Sequence, residues 1–183
     1  MSDNYRKNCF KKILDASSVY DIAIKSPVQF APKLSSKLKN RIYIKREDLQ
    51  PVFSFKLRGA YNKISKIKNP NHIVAASAGN HAQGVALTCK KLKLNSTIVM
   101  PLTTPSIKIN AVKKHGTKII LHGDTYDEAY QYAIKYSKKH NFNFVHPYDD
   151  IDVIAGQGTI GIEMLDQLKD CLLYTSDAAD ECD

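Results

Sequence analysis

The sequence has no apolar run close to the roughly 20 residues that a helix needs to cross a bilayer. Its opening segment, MSDNYRKNCFKKILDASS, carries charges but no apolar stretch of the kind a secretory leader needs. The expected location is therefore the cytoplasm. The four cysteines, Cys9, Cys89, Cys171 and Cys182, form no CxxC pair. Together with six dispersed histidines they give no metal-ligand spacing, so no metal site is expected. Neither GxGxxG nor GxxxxGK[ST] occurs, which excludes the dinucleotide and Walker phosphate loops. Only eight glycines are present, and nowhere do four stand in a row. There is no internal repeat and no low-complexity linker.

What remains is an ordinary globular composition of 183 residues, 43% hydrophobic and 25% charged. The formal net charge of +9 would suit nucleic acid or an anionic surface. The lysines are scattered, however, in pairs such as Lys90-Lys91 and Lys113-Lys114 near the ends of expected helices, where cations suit the macrodipole. No RNA-binding aromatic signature accompanies them. The excess of lysine, asparagine and isoleucine reads as the product of AT-rich coding DNA, so neither nucleic acid nor membrane is an expected partner.

Periodicity gives an alternation of strands and helices. A short helix is expected over Ala16 to Ser26 and strands over Arg41 to Lys45, His72 to Ser77 and STIVM. A helix from Asn80 presents Ala82, Val85, Ala86, Cys89 and Leu92 on one face, with Cys89 a buried free thiol. Another runs from Pro105, at its first position, to Gly116 just past its end. TKIILHG and NFNFVHP read as strands. Asp124 or Thr125 caps a helix with a Tyr126, Ala129, Tyr130, Ala133, Ile134 stripe. GTIGIEMLDQLKD is the last helix. Such alternation argues an α/β fold with mostly parallel strands.

Two stretches invite chemistry. In PVFSFKLRGAYNKI, Lys56 stands between Phe55 and Leu57 where a helical pattern begins. A lysine in apolar surroundings loses part of its preference for the charged form, and a neutral amine can attack a carbonyl. The alternative is a surface lysine with its stem packed on Phe55. In ASAGNHAQG a strand passes into a helix through small residues, which lets backbone N–H groups approach a carboxylate or phosphate. The alternative is a plain turn with Asn80 as N-cap, and local spacing does not separate the two.

Together, KREDLQPVFSFKLRGAYNKI and ASAGNHAQGVA resemble the fold-type II pyridoxal-phosphate enzymes, and among them the biosynthetic threonine dehydratases (threonine ammonia-lyases). IVMP, LHGDTYDEA and VIAGQGTIGIEML continue the likeness in order, from Ser26 to Leu168. The resemblance implies a tryptophan synthase beta-like α/β fold, with open, mostly parallel sheets and helices on both faces. It implies pyridoxal 5'-phosphate held by Lys56 as a Schiff base beside Phe55, with Lys56 then taking the substrate Cα proton. Asn80 would bond the cofactor's ring hydroxyl. Ser77, Ala78, Gly79, Asn80 and His81 would cradle the amino acid's carboxylate. The implied reaction turns L-threonine into 2-oxobutanoate and ammonia, the first step of isoleucine biosynthesis, and L-serine into pyruvate. A homotetramer is implied for the full-length protein. Serine racemase and the catabolic dehydratases share the SFK-RGA core and are the near alternative. A non-catalytic basic α/β binding module, with Lys56 structural, is the distant one.

The resemblance also implies a division: 1–56 starts a large cofactor domain, 57–155 forms a small mobile domain, and 156–170 returns to the large one. Residues 171–183, CLLYTSDAADECD, fit neither helix nor strand; Cys171 to Glu181 can be encoded by a DNA-library adapter, so this tail is expected to be non-native. The family's four-glycine phosphate loop, its partner for the pyridine nitrogen and its C-terminal regulatory domain would all lie beyond Asp170. The chain by itself is thus expected to fold poorly, to bind the cofactor weakly and to turn over negligibly.

Overall fold

A computed structural model of the chain describes residues 3–168, so the expected non-native tail lies outside the described residues. Helix α1 (Asp3–Leu14) leads into a 3-10 turn (Ser17–Asp21), all that forms of the helix expected over Ala16 to Ser26. Strand β1 (Val28–Phe30), helix α2 (Pro32–Leu38) and strand β2 (Tyr43–Lys45) follow, β1 and β2 pairing antiparallel as a small ribbon. A second 3-10 turn (Glu47–Leu49) and an irregular stretch lead to α3 (Lys56–Ile64).

From there alternation is strict: β3 (Ile73–Ala76), α4 (Asn80–Leu92), β4 (Ser96–Met100), α5 (Ser106–Lys113), β5 (Lys118–Leu121), α6 (Tyr126–His140), β6 (Asn143–Phe144) and α7 (Ile151–Gln167). The four strands pair parallel in the order β5-β4-β3-β6, with Val74 opposite both Thr97 and Phe144. The central strands β3 and β4 are buried at every residue, because a parallel sheet with helices on both faces leaves neither side to water.

Side-chain alternation sorts the core into two layers. Ile73, Ala75, Ile98 and Met100 point to one face, where Ala82, Val85, Ala86 and Cys89 of α4, Ala60 and Ile64 of α3, and Val153 of α7 close over them. Val74, Ala76 and Val99 point to the other, covered by Ala129 and Ala133 of α6. The Cys89 thiol is free, and burial, opposed by a bond to Ser96, pushes it up to about 12.

Local chemistry sets most boundaries. Thr125 caps α6 in a reciprocal box: its hydroxyl accepts from the Glu128 N–H, and the Glu128 carboxylate accepts from the Thr125 N–H at 3.0 Å. Pro105 is the N-cap of α5 rather than its first helical residue, and Gly116 follows the helix with φ of 83°. The last helix begins earlier than its glycines suggest. Asp150 caps it by accepting from Asp152 N–H and Val153 N–H, so Gly156, Gly158 and Gly161 lie in its interior. Helices α1 and α2 were not legible in the pattern. Helix α1 owes its place to packing on α7, where Ile13 Cδ1 fills the space a side chain at Gly158 would take. Among the described residues no helix is long and apolar enough to cross a membrane.

Candidate active site

Lys56 is the first residue of α3, and its approach is fixed from the preceding turn. The buried Gln50 amide exchanges two hydrogen bonds with the Ile24 backbone, accepting from its N–H at 3.0 Å and donating to its carbonyl at 2.8 Å. Phe53 then takes a left-handed φ of 56°, which turns the chain so that Ser54 Oγ accepts from the Lys56 N–H at 3.3 Å. The Lys56 side chain is half-buried. Its Nζ donates to the Pro147 carbonyl at 3.0 Å and stands 5.2 Å from the centre of the Phe55 ring. Among the described residues no carboxylate pairs with it. Burial lowers its pKa, and a carbonyl partner offers less compensation than a carboxylate would.

The second segment lies at the carboxyl end of β3, where open α/β sheets bind ligands. Ser77 N–H still pairs with the Val99 carbonyl, and Ser77 Oγ then accepts from the Gly79 N–H at 3.1 Å. Gly79, not Asn80, is the N-cap, and it supplies no side chain to the first turn of α4. Nothing lies within 4 Å of the place a Gly79 side chain would occupy, so the loop faces open space. Ser77, Ala78 and Gly79 are half-buried and Asn80 is exposed. His81 is different: its ring is buried beneath the loop, with Nε2 3.2 Å from the Val145 carbonyl and Nδ1 without a partner. Burial, opposed by that bond and reinforced by the charges of Lys56 and His146, holds His81 down to about 4. It is neutral at pH 7, and only its backbone can serve a ligand at the loop.

Glycines bring the two segments together. A side chain at Gly84 of α4 would sit 3.2 Å from the Lys56 carbonyl, and one at Gly156 of α7 would sit 2.4 Å from the Arg58 carbonyl. Helix α3 is therefore held at backbone contact on two sides. The residues fit the aldehyde end of a pyridoxal group: an amine of lowered basicity, open space over a bare helix N-terminus, and an exposed amide at Asn80. Among the described residues no group of three or more His, Cys, Asp or Glu could hold a metal ion. A cleft of about 590 Å³ lined by Phe30, Pro32, Leu34, Ile44 and Arg46 includes no residue of either segment.

Sequence reasoning named Lys56, Phe55 and the 77–81 loop but missed Pro147, Gln50 and the buried charges around Arg58. One signal existed. Glu163 is a lone acid within the apolar stretch GTIGIEML, and it is only 2% exposed. A carboxylate there needs a buried cation, and Arg58 is that cation.

Comparison with known proteins agrees with this geometry. The sequence profile of the family described as "Pyridoxal-phosphate dependent enzyme" matches residues 19–175. The chain is 58% identical over 158 residues to a threonine dehydratase of Nicotiana attenuata, covering 85% of this chain and 26% of the relative. It is 52% identical over 157 residues to the biosynthetic, chloroplastic threonine dehydratase of Arabidopsis thaliana, covering 84% and 26%. The processed form of threonine deaminase isoform 2 from Solanum lycopersicum superposes with a TM-score of 0.84 at 50% identity, over 90% of this chain and 47% of that one. The chain thus spans about a quarter of the length of the two curated relatives, 26% in each case. A family profile running through both chemical segments, on a fold that brings them together beyond the carboxyl end of β3, leads to one conclusion: the chain belongs to the pyridoxal-phosphate dependent enzyme family.

Proposed function

We propose that the chain carries the lysine-bearing part of a biosynthetic threonine dehydratase, which converts L-threonine to 2-oxobutanoate and ammonia and acts on L-serine in the same way. The observation that supports this most is the state of Lys56: half-buried, unpaired by any carboxylate among the described residues, and parked on the Pro147 carbonyl. Pyridoxal phosphate, when bound, supplies an electron sink for charge developing at the substrate Cα. Lys56 Nζ would hold its aldehyde end and would be the base that accepts the substrate Cα proton. A lowered pKa favours both roles, because each needs the unprotonated amine. The Phe55 ring lies beside the amine, and Asn80 would bond the cofactor's ring hydroxyl.

Ser77, Ala78, Gly79, Asn80 and His81 form the loop that binds the substrate carboxylate at the start of α4, where the helix dipole favours an anion. The Ser77 and Gly79 N–H groups are taken by the Val99 carbonyl and Ser77 Oγ, so the donors are the N–H groups of Ala78, Asn80 and His81 and the Ser77 hydroxyl. Residues 57–155 would move as a small domain against 1–56 and 156–170, with Lys56 at the boundary. The whole protein would be a cytoplasmic homotetramer.

The test is pyridoxal phosphate followed by borohydride, with the modified lysine located by peptide mass. The label is expected on Lys56 ahead of the surface lysines; an even spread over them overturns the proposal. In the whole protein, Lys56→Ala should lower 2-oxobutanoate formation by roughly 10²–10⁴-fold with the fold unchanged. Formation of D-serine rather than pyruvate from L-serine would instead favour a racemase.

A further inference from the structure

Arg58 follows Lys56 by two residues, so its side chain leaves α3 about 200° round the helix from that of Lys56 and ~3 Å further along. The two project from nearly opposite sides. Arg58 is wholly buried, and carboxylates grip its guanidinium from two sides. Its Nε donates to Glu47 Oε2 at 2.9 Å and its Nη2 to Glu47 Oε1 at 2.8 Å. Nη1 donates to Glu163 Oε1 at 2.5 Å, and Nη2 lies 3.1 Å from Glu163 Oε2. Thr159 Oγ1 and the Ile24 carbonyl take further bonds at 3.1 and 3.0 Å. Glu163 is held in turn by Lys45 at 2.5 Å and Tyr20 at 2.8 Å, and Glu47 by Ser26.

This cluster joins α3 to α7, to β2 and to the segment before β1. Its two cations and two carboxylates balance, so the interior carries no net charge from them. A planar fork gripped by two carboxylates fixes direction as well as distance, which a lysine could not do. Burial pushes Glu163 up, but its bonds from Arg58, Lys45 and Tyr20 outweigh that and hold it below the usual carboxylate range.

We infer that Arg58, clamped by Glu47 and Glu163, is a positioning residue for Lys56: it sets the rotation of α3 that keeps the Lys56 amine against Pro147 and out of water. None of the hydrogen bonds of the Arg58 side chain goes to Lys56 or to the loop at α4. It acts by fixing the opposite side of a helix whose backbone already abuts Gly84 and Gly156. This rests on the reading of Lys56 as the reactive amine.

Two measurements keep the inference and that reading apart. Pyridoxal phosphate with borohydride tests whether Lys56 is the preferred lysine. Acetic anhydride labelling across pH, read by peptide mass, gives the titration midpoint of Lys56 whatever the first arm shows. Arg58→Lys and Glu163→Gln are expected to raise that midpoint toward that of a free lysine and to slow Lys56 labelling at pH 8 about fivefold or more. Thr125→Ala, which weakens the distant α6 cap, should leave it unchanged. An unmoved midpoint in folded Arg58→Lys and Glu163→Gln overturns the inference, as does an equal shift in Thr125→Ala. Should both charge variants fail to fold, Thr159→Val decides by removing one neutral bond. It should raise the midpoint by a smaller amount, and no change overturns the inference.

Discussion

His81 shows how a single residue can make the site depend on pH. Its ring is buried beneath the loop at the start of α4, and its pKa falls from the ordinary 6.5 to about 4. The folded state therefore binds the proton less readily than the unfolded chain. The stability this contributes is fully present above pH 6.5 and is lost as pH falls through 4, a difference on the order of 3 kcal/mol. Urea unfolding of the wild type and His81→Leu at pH 7 and pH 4.5 should show the wild type losing more stability on acidification. Equal losses would mean that the ring is not held neutral by its surroundings. Little of this was legible in ASAGNHAQG, because a histidine at the second position of a helix can face water or the sheet. The parallel pairing of β6 with β3, which places the Val145 carbonyl under the ring, decided it.

At the scale of elements, α3 matters most, and glycines set how closely it is held. A side chain at Gly156 would lie 2.4 Å from the Arg58 carbonyl and 2.7 Å from Asn62 Cβ, neither of which is the loose end of a side chain. Gly156→Ala should therefore cost about 3 kcal/mol through forced separation of α3 and α7. Gly161, on the same helix, has nothing within 4 Å of that position, and Gly161→Ala should stabilise by about 0.5–1 kcal/mol by restricting the unfolded chain. Thermal unfolding of the two variants checks both signs together; loss of stability in both would mean that helix propensity is not the governing term at Gly161. The sequence shows three glycines in a helix as one pattern. Only the facing helices make them different.

For the molecule as a whole, burial is uneven. Strands β3 and β4 are buried throughout, whereas the β1–β2 ribbon exposes Phe30 and Ile44. Local opening should follow that gradient. Backbone amide exchange, followed by mass spectrometry, is expected to be slowest at Val74, Ala75, Ile98 and Val99 and fast in Val28–Phe30. The reverse order would place the stable nucleus in the ribbon and not in the sheet.

The sequence by itself determined the α/β class and the strands β3 to β5, narrowed the α6 cap to Asp124 or Thr125, and singled out Lys56 as the candidate amine. Each of these rests on neighbours in the chain: alternation of apolar residues, a capping residue type just before a helical stripe, a lysine in an apolar run. The tertiary structure alone decided that α1 and α2 form, that Gly156 is a contact and Gly161 is not, and that Lys56 rests on Pro147. It also brought Arg58, Glu47, Glu163 and Lys45 together. That charge cluster depends on partners far apart in the chain, Lys45 and Glu163 being 118 residues apart. A buried charge needs its counter-charge in space, and only the folded chain specifies where that is.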